Sequence, residues 1–166
     1  MLPHLDAAYN LARWLLREPR DAEDAVQESM LRAYRAFDRF RGGEGRPWLL
    51  TIVRNVCYTQ MRRDRRRPVT ETFDDDLHGS VLDPAEANAA AWREAKSEVL
   101  RQALERLPPE AREMIVLHEV ENLAYREIAA VAEIPIGTVM SRLARARQKL
   151  QAELLALTGK DSPHGL

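Results

Sequence analysis

A single proline inside an otherwise continuous helical pattern sets the limits on what this chain can fold into. Leu123 to Leu154 reads LAYREIAAVAEIPIGTVMSRLARARQKLQAEL, with helical apolar spacing on both sides of Pro135. Proline has no N–H to donate and disfavours helix at the residue before it, so the break must fall there. The pattern predicts a helix over Tyr125–Ala132, a turn at Glu133-Ile134-Pro135-Ile136, and a second helix starting near Gly137-Thr138. Val139, Leu143, Ala146 and Leu150 make one apolar stripe on that second helix. Its opposite face carries Ser141, Ala144, Arg145 and Gln148, flanked by Arg142 and Lys149, and no carboxylate occurs between Gly137 and Leu150. Two helices so joined form a helix-turn-helix, whose second helix enters the DNA major groove. Small residues let the backbone approach the bases, cations meet the phosphates, and Arg145 can reach a guanine edge with two hydrogen bonds. The alternative is a helical hairpin with a solvated basic face. The proline turn, the small residues and the acid-free face favour DNA.

The formal net charge of −1 looks wrong for a nucleic-acid binder until it is divided along the chain. Residues 1–67 hold 14 Lys/Arg against 9 Asp/Glu, and residues 68–98 hold 2 against 8. The last 68 residues balance at 9 and 9, with the positive charge gathered on the second helix of the motif. An acidic middle therefore hides two basic ends. At 166 residues there is room for one or two small domains. No apolar run approaches a membrane span, and the N-terminus lacks a signal-peptide pattern, so no membrane insertion is expected. A lone Cys57 rules out an internal disulfide and a cysteine-rich zinc site, and suits a reducing cytoplasm.

Upstream, residues 5–17 predict a first helix with Leu5, Ala8, Leu11, Ala12, Leu15 and Leu16 as its apolar stripe. Pro19 ends it. Asp21 can cap a second helix running to about Phe40, with Ala22, Val26, Met30, Ala33, Tyr34 and Phe37 facing inward. Its outward residues include Asp24, Gln27, Glu28, Leu31 and Arg32; a large apolar Leu31 among charges hints at a protein partner. Residues 41–46, RGGEGR, form a mobile glycine loop that is no phosphate loop, because no Lys-Ser/Thr follows. Pro47 opens a third helix reaching about Arg66, with Leu49, Ile52, Val53 and Val56 toward the core. Its other side shows Arg54, Asn55, Tyr58, Met61, Arg62 and Arg65, with Trp48 near the edge. Cations for phosphates, rings for stacking and an amide for a base edge are what an unpaired strand requires.

Residues 68–83 have no apolar period and read as a linker. Asp74, Asp75 and Asp76 there lack converging ligands, so no metal and no cofactor is expected, and His78 reads as solvent-exposed. Val69–Phe73, the only strand candidate, also lies there. Asp83-Pro84 starts another helix to about Leu107, packed through Ala91, Trp92, Val99, Leu100, Ala103, Leu104 and Leu107. Pro108-Pro109 stops it, and residues 110–120 form a short helix with Met114, Ile115, Leu117 and His118 mostly inward. The expected fold is all-α: a helical domain at 1–67, an acidic linker at 68–83, a helix-turn-helix domain at 84–157 and a disordered tail at 158–166.

DAEDAVQESMLRAYRAFDRF, RPWLLTIVRN with its Arg cluster, LPPEAREMIVLHEV and LAYREIAAVAEIPIGTVMSRLARARQKL together resemble the bacterial extracytoplasmic-function (ECF) sigma factors. These are two-domain sigma subunits of RNA polymerase, and the likeness covers residues 2–67 and 99–155 in family order. It implies a sigma2-like first domain that binds the core polymerase through Asp24, Gln27, Glu28, Leu31 and Arg32. It implies that the glycine loop, with Arg41, captures a flipped base of the −10 region, and that Trp48, Asn55, Tyr58 and Arg62 line the melted strand. It implies a sigma4-like second domain reading the −35 duplex with Thr138, Met140, Ser141, Arg142 and Arg145. It further implies control by an anti-sigma factor, and no catalysis by the chain itself. Strand capture would supply the melting energy, about 1–3 kcal/mol per stacked base.

Three positions depart from the family pattern. Many relatives carry Ser or Thr at Ala124, so a capping hydroxyl is missing, at about 1 kcal/mol. Many carry Gly at Glu133, where a left-handed backbone would strain Glu by roughly 1–2 kcal/mol. Many carry Lys or Arg at Met140, which can touch a thymine methyl but cannot hydrogen-bond. A stand-alone repressor with the same motif would need a dimer to span two half-sites and leaves the Arg/Tyr/Asn helix unexplained. An enzyme is the weakest alternative, since no nucleophile–base pair or phosphate loop is visible.

Overall fold

A computed structural model describes residues 2–40, 42–66 and 97–159. The expected linker at 68–83 with Asp74, Asp75, Asp76, His78 and the strand candidate Val69–Phe73 lies outside the described residues. So do Arg41, residues 84–96 and most of the predicted tail. The described residues are helical, with no strand among them. After a 3-10 turn at Leu2–His4 come α1 (Leu5–Leu16), α2 (Pro19–Ala36), a 3-10 turn at Phe37–Arg39, and α3 (Gly45–Arg66). Then follow α4 (residues 97–105), α5 (Pro109–Ile115) running into a wide π turn at Val116–Val120, α6 (Tyr125–Ala132) and α7 (Ile136–Gly159).

The first three helices form a front module in which each packs on the other two. Small residues decide which face of α2 is buried. Ala22, Ala25, Val26, Ser29 and Ala33 line the contact, letting neighbouring backbones approach closely. Ser29, fully buried, satisfies its hydroxyl by donating to the Ala25 carbonyl at 2.6 Å. The inward set expected from the sequence is thereby corrected. Tyr34 is 78% exposed and Phe37 51% exposed, because the helix turns its Ala/Ser stripe, and not its rings, toward α1 and α3. Leu5 is likewise exposed on α1, whose buried set is Ala7, Ala8, Leu11, Ala12 and Leu15. Asp21 is not the cap of α2: the helix starts at Pro19 with Glu18 before it, and Asp21 sits in the first turn, beside the positive helix end. α2 also stops earlier than expected, at Ala36, where the 3-10 turn takes over.

In the rear module α5 and α6 pack on α7, whose buried residues are Val139, Leu143 and Ala146. The predicted stripe is the observed one. α4 buries Ala103 and Leu104, with Leu107 just beyond it, while Leu100, expected inside, is 44% exposed. Pro108-Pro109 both ends α4 and opens α5, since proline suits a first helical position. Thr158 and Gly159, expected in the tail, continue α7, and the Thr158 hydroxyl donates to the Leu154 carbonyl.

The two modules are in contact: α1 packs on α5, and α3 on α6. The corner between α1 and α2 is tight. Arg17 has φ 72° and ψ −41°, and Glu18 N–H donates to the Leu16 carbonyl at 2.7 Å, a strained γ-turn. From that corner the Arg17 guanidinium donates across to the Glu105 carbonyl of α4 at 3.1 Å.

Candidate polymerase and nucleic-acid interfaces

Three surfaces hold the residues singled out from the sequence. The first lies between α1 and α2. Leu5, Tyr9, Val26, Met30, Leu31 and Tyr34 line an open groove of about 900 Å³, with Gln27 among them and the carboxylates of Asp6 and Glu23 beside them. Leu31 is 53% exposed, and with Leu5 and Tyr34 it makes an apolar strip too large for an isolated surface leucine. Gln27 and Leu31 therefore sit in the groove, and Asp24 is exposed on the same helix. Glu28 and Arg32 pair with each other at 2.8 Å. Sequence reasoning missed Leu5 and Tyr34 by assigning both inward. Tyr34 carried a signal, because it falls off the small-residue stripe of α2, whereas Leu5 shares the face of Ala8 and Ala12 and is exposed as the first residue of α1.

The second surface is α3 with the loop before it. Gly42 and Gly43 both have φ +85°, a conformation that costs other residues strain, so this loop needs its glycines. At its base Phe40 lies 4.6 Å from the Trp48 ring, centroid to centroid, with Phe37 edge-on to Trp48 at 6.4 Å. Trp48 is thus half-buried in an aromatic cluster, with one ring already against it. Asn55 and Arg62 are exposed. Arg54 and Tyr58 are not open, and this corrects the sequence expectation. They share one face of α3, with the Arg54 guanidinium 4.4 Å from the Tyr58 ring centre, and both turn to Glu113 of α5. Arg54 Nε donates to Glu113 Oε2, and the Tyr58 hydroxyl donates to Glu113 Oε1 at 2.7 Å. The Glu113 side chain is wholly buried, so it must be satisfied by partners, and these two donors are what it finds.

Burial pushes the Glu113 carboxyl above the usual carboxylate range, while Arg54 and Tyr58 pull it back. Burial also works against the Arg54 cation, but the hydrogen bond and charge of Glu113 outweigh it and raise Arg54 further. The geometry of two donors on two carboxylate oxygens favours the ion pair. Burial, then Glu113, raises the Tyr58 phenol as well.

The third surface is the exposed face of α7. Met140, Ser141, Ala144, Arg145 and Gln148 point to solvent, with Thr138 and Arg142 half-buried beside them. The Ser141 hydroxyl donates to the Thr138 carbonyl at 3.2 Å. Arg147, on the flank, pairs with Glu119 of the π turn at 3.0 Å. Glu133 is left-handed, with φ 58° and ψ 49°, which meets the condition under which a side chain at this position is strained. Ala124 offers no capping oxygen. Glu127 nevertheless accepts the Ala124 N–H at 2.7 Å, so only half of a capping box forms. No cluster of three or more His, Cys, Asp or Glu able to hold a metal occurs among the described residues. No described helix is long and apolar enough to cross a membrane.

Comparison with known proteins gives matches over both modules. The family described as Sigma-70 region 2 matches residues 2–67, and Sigma-70, region 4, matches residues 97–150. The ECF RNA polymerase sigma factor SigE of Mycolicibacterium smegmatis is 34% identical over 89% of this chain and 57% of its own length. EcfG of Rhodopseudomonas palustris is 37% identical, over 80% of this chain and 71% of its own. The sigma-E factor of Salmonella typhimurium is 33% identical, over 82% and 75%. Among solved structures, the sigma factor RpoE in complex with the anti-sigma factor NepR from Bartonella quintana superposes with a TM-score of 0.70, at 30% identity and over 92% of both chains. CnrH in complex with the cytosolic domain of CnrY gives 0.65 at 28% identity, over 93% of this chain and 84% of that one. With one region matched in each module, and in the order the relatives have them, the chain belongs to the family of ECF RNA polymerase sigma factors.

Proposed function

We propose that this chain binds core RNA polymerase and directs it to promoters, recognising and opening them while the polymerase performs the chemistry. The observation that carries this reading is one chain bearing an acid-free, solvent-facing helix-turn-helix surface and, separately, a cationic α3 behind a glycine loop. The α1/α2 groove takes the polymerase, with Leu31 and Gln27 as anchors and Asp24, Glu28 and Arg32 at its margin. Thr138, Met140, Ser141, Arg142 and Arg145 address the −35 duplex. Trp48, Asn55, Tyr58 and Arg62, with Arg41 of the loop, address the −10 strand. The protein works in the cytoplasm, needs no cofactor and is not an enzyme. An anti-sigma factor holds it inactive; the similar sigma factor RpoE, solved in complex with the anti-sigma factor NepR, supports that part of the reading.

Transcription by core polymerase on a library of genomic fragments tests it, with start sites read out. New start sites that appear only when the chain is added, sharing two spaced sequence elements upstream, are the expected result. A palindromic footprint made by the chain without polymerase, and no start sites with it, would favour a repressor instead.

A further inference from the structure

The exposed face of α7 has two unlike flanks. Arg142, Arg145 and Lys149, three and four residues apart, run along one of them. Across the small residues Ser141 and Ala144 lies the other, where Ile136 and Met140 stand one turn apart. Both are large apolar side chains left in solvent, Met140 53% exposed and Ile136 46%, although the same helix buries Val139, Leu143 and Ala146. The cation on their flank is already engaged. Arg147, seven residues after Met140, donates from Nη2 and Nε to Glu119 Oε1 at 3.0 and 3.3 Å. This flank is therefore poorly suited to a phosphate. Ile136 opens α7 and Met140 follows in its second turn, the part of a recognition helix that meets base edges. Base edges in the major groove carry one apolar group, the C5-methyl of thymine. An unbranched, polarisable thioether packs well against such a group, and it has no hydrogen to donate to guanine.

We infer that Met140, with Ile136 beside it, forms a thymine-methyl subsite: one position of the −35 duplex is selected by its C5-methyl group, while the Arg142/Arg145/Lys149 flank takes phosphates and guanine. The inference rests on the sigma-factor reading and deepens it by naming the chemistry that this flank of α7 accepts. A methyl contact and a hydrogen-bond contact answer differently to one change in the DNA. Uracil in place of thymine keeps the base pair and the O4 acceptor and removes only the methyl. A reader that uses hydrogen bonds does not sense that change, whereas a reader that packs on the methyl does.

Deoxyuridine substitution tests it. The full chain assembled with core polymerase is titrated with duplexes whose −35 element comes from its own core-dependent start sites, each thymine replaced in turn by deoxyuridine. At one thymine the loss of affinity is expected to be about three- to fivefold, the effect of one methyl group returned to water. Met140→Ala, at an exposed position that does not hold the fold, is expected to bring the thymine-to-uracil ratio there close to one. Arg145→Ala, on the other flank, is expected to keep that ratio while binding more weakly. A ratio of one at every thymine, or a −35 element without thymine, would overturn the inference and leave the sigma reading standing. So would a ratio that Met140→Ala leaves unchanged, which would give the apolar flank to a protein contact. Failure of the chain to confer core-dependent binding on any duplex would overturn the sigma reading and the inference with it.

Discussion

Removing one partner of the Arg54–Glu113 pair is the sharpest perturbation this fold offers. In Arg54→Met the wholly buried Glu113 side chain keeps only the Tyr58 phenol as donor. Breaking a buried pair this way costs about 3–5 kcal/mol. Two escapes reduce the figure here. Burial already raises the Glu113 carboxyl, so it can take up a proton at about 1.4 kcal/mol per unit of pKa. The modules can also part and admit water. The expected loss is therefore about 2–3 kcal/mol, at or just below the bottom of that range. In Glu113→Leu the Arg54 side chain, 15% exposed, can swing to solvent, but the Tyr58 hydroxyl loses its acceptor. That change costs about 1–3 kcal/mol. The double variant leaves only the phenol unsatisfied, since apolar replacement of both partners of a buried pair is often neutral, and should cost about 1 kcal/mol. The two single losses together then exceed the double by at least about 2 kcal/mol. Urea denaturation followed by tryptophan fluorescence on the four proteins gives that coupling energy. Additive losses, within about 0.5 kcal/mol, would mean that the modules do not meet through this pair in solution and would refute the reasoning.

Other outcomes follow from single sites. Glu133→Gly should stabilise the chain by about 0.5–1 kcal/mol, because it removes left-handed strain of roughly 1–2 kcal/mol and gives part back as unfolded-state entropy. Glu133→Ala keeps the strain, so a thermal melt showing equal gains for both variants would contradict the backbone explanation. Cys57 is buried, and burial pushes its thiol up to about 12. A thiol reagent at pH 8 should leave it unmodified in the folded chain and modify it completely in denaturant; rapid modification of the native protein would show that α3 is not packed as described. Arg145→Ala should relax discrimination at one −35 base pair by about 1–3 kcal/mol in competition binding with polymerase present. An equal loss on every sequence would assign Arg145 to phosphate alone.

Much of the fold was legible because it is local. Pro135 fixes the break in the helix-turn-helix, and the stripe Val139, Leu143, Ala146 needs no partner to be recognised. At Glu133 it was the glycine common in the resembled family, and not the periodicity, that raised a left-handed backbone as a condition for strain, and the structure meets that condition. The face of α2 was less legible. Hydrophobicity points to Tyr34 and Phe37, but close approach between helices prefers Ala25 and Ser29, and packing distance is not written in a hydrophobic pattern. The seam between modules was least legible, because its parts lie far apart in sequence. Arg112 and Glu113 are adjacent charges in the run Ala111–Leu117, which is otherwise apolar, and that placement was the available signal. Without the partners Trp14, Arg54 and Tyr58 in view, two charges there look like a helix surface. For the candidate site this had one consequence. Asn55 and Arg62 are exposed as the periodicity implies, whereas Tyr58 is turned to a carboxylate from the other module.

The central claim is that the α1/α2 groove seats the polymerase, and affinity for purified core enzyme tests it most directly. Leu31 is half-exposed, so Leu31→Asp should leave the free fold intact while placing a charge where an apolar contact is required. Titrating labelled chain with core polymerase should give saturable binding for the unsubstituted protein, weakened at least tenfold, about 1.4 kcal/mol, by Leu31→Asp. Equal binding by both proteins would move the polymerase contact elsewhere, and no binding by either would contradict the account at its root.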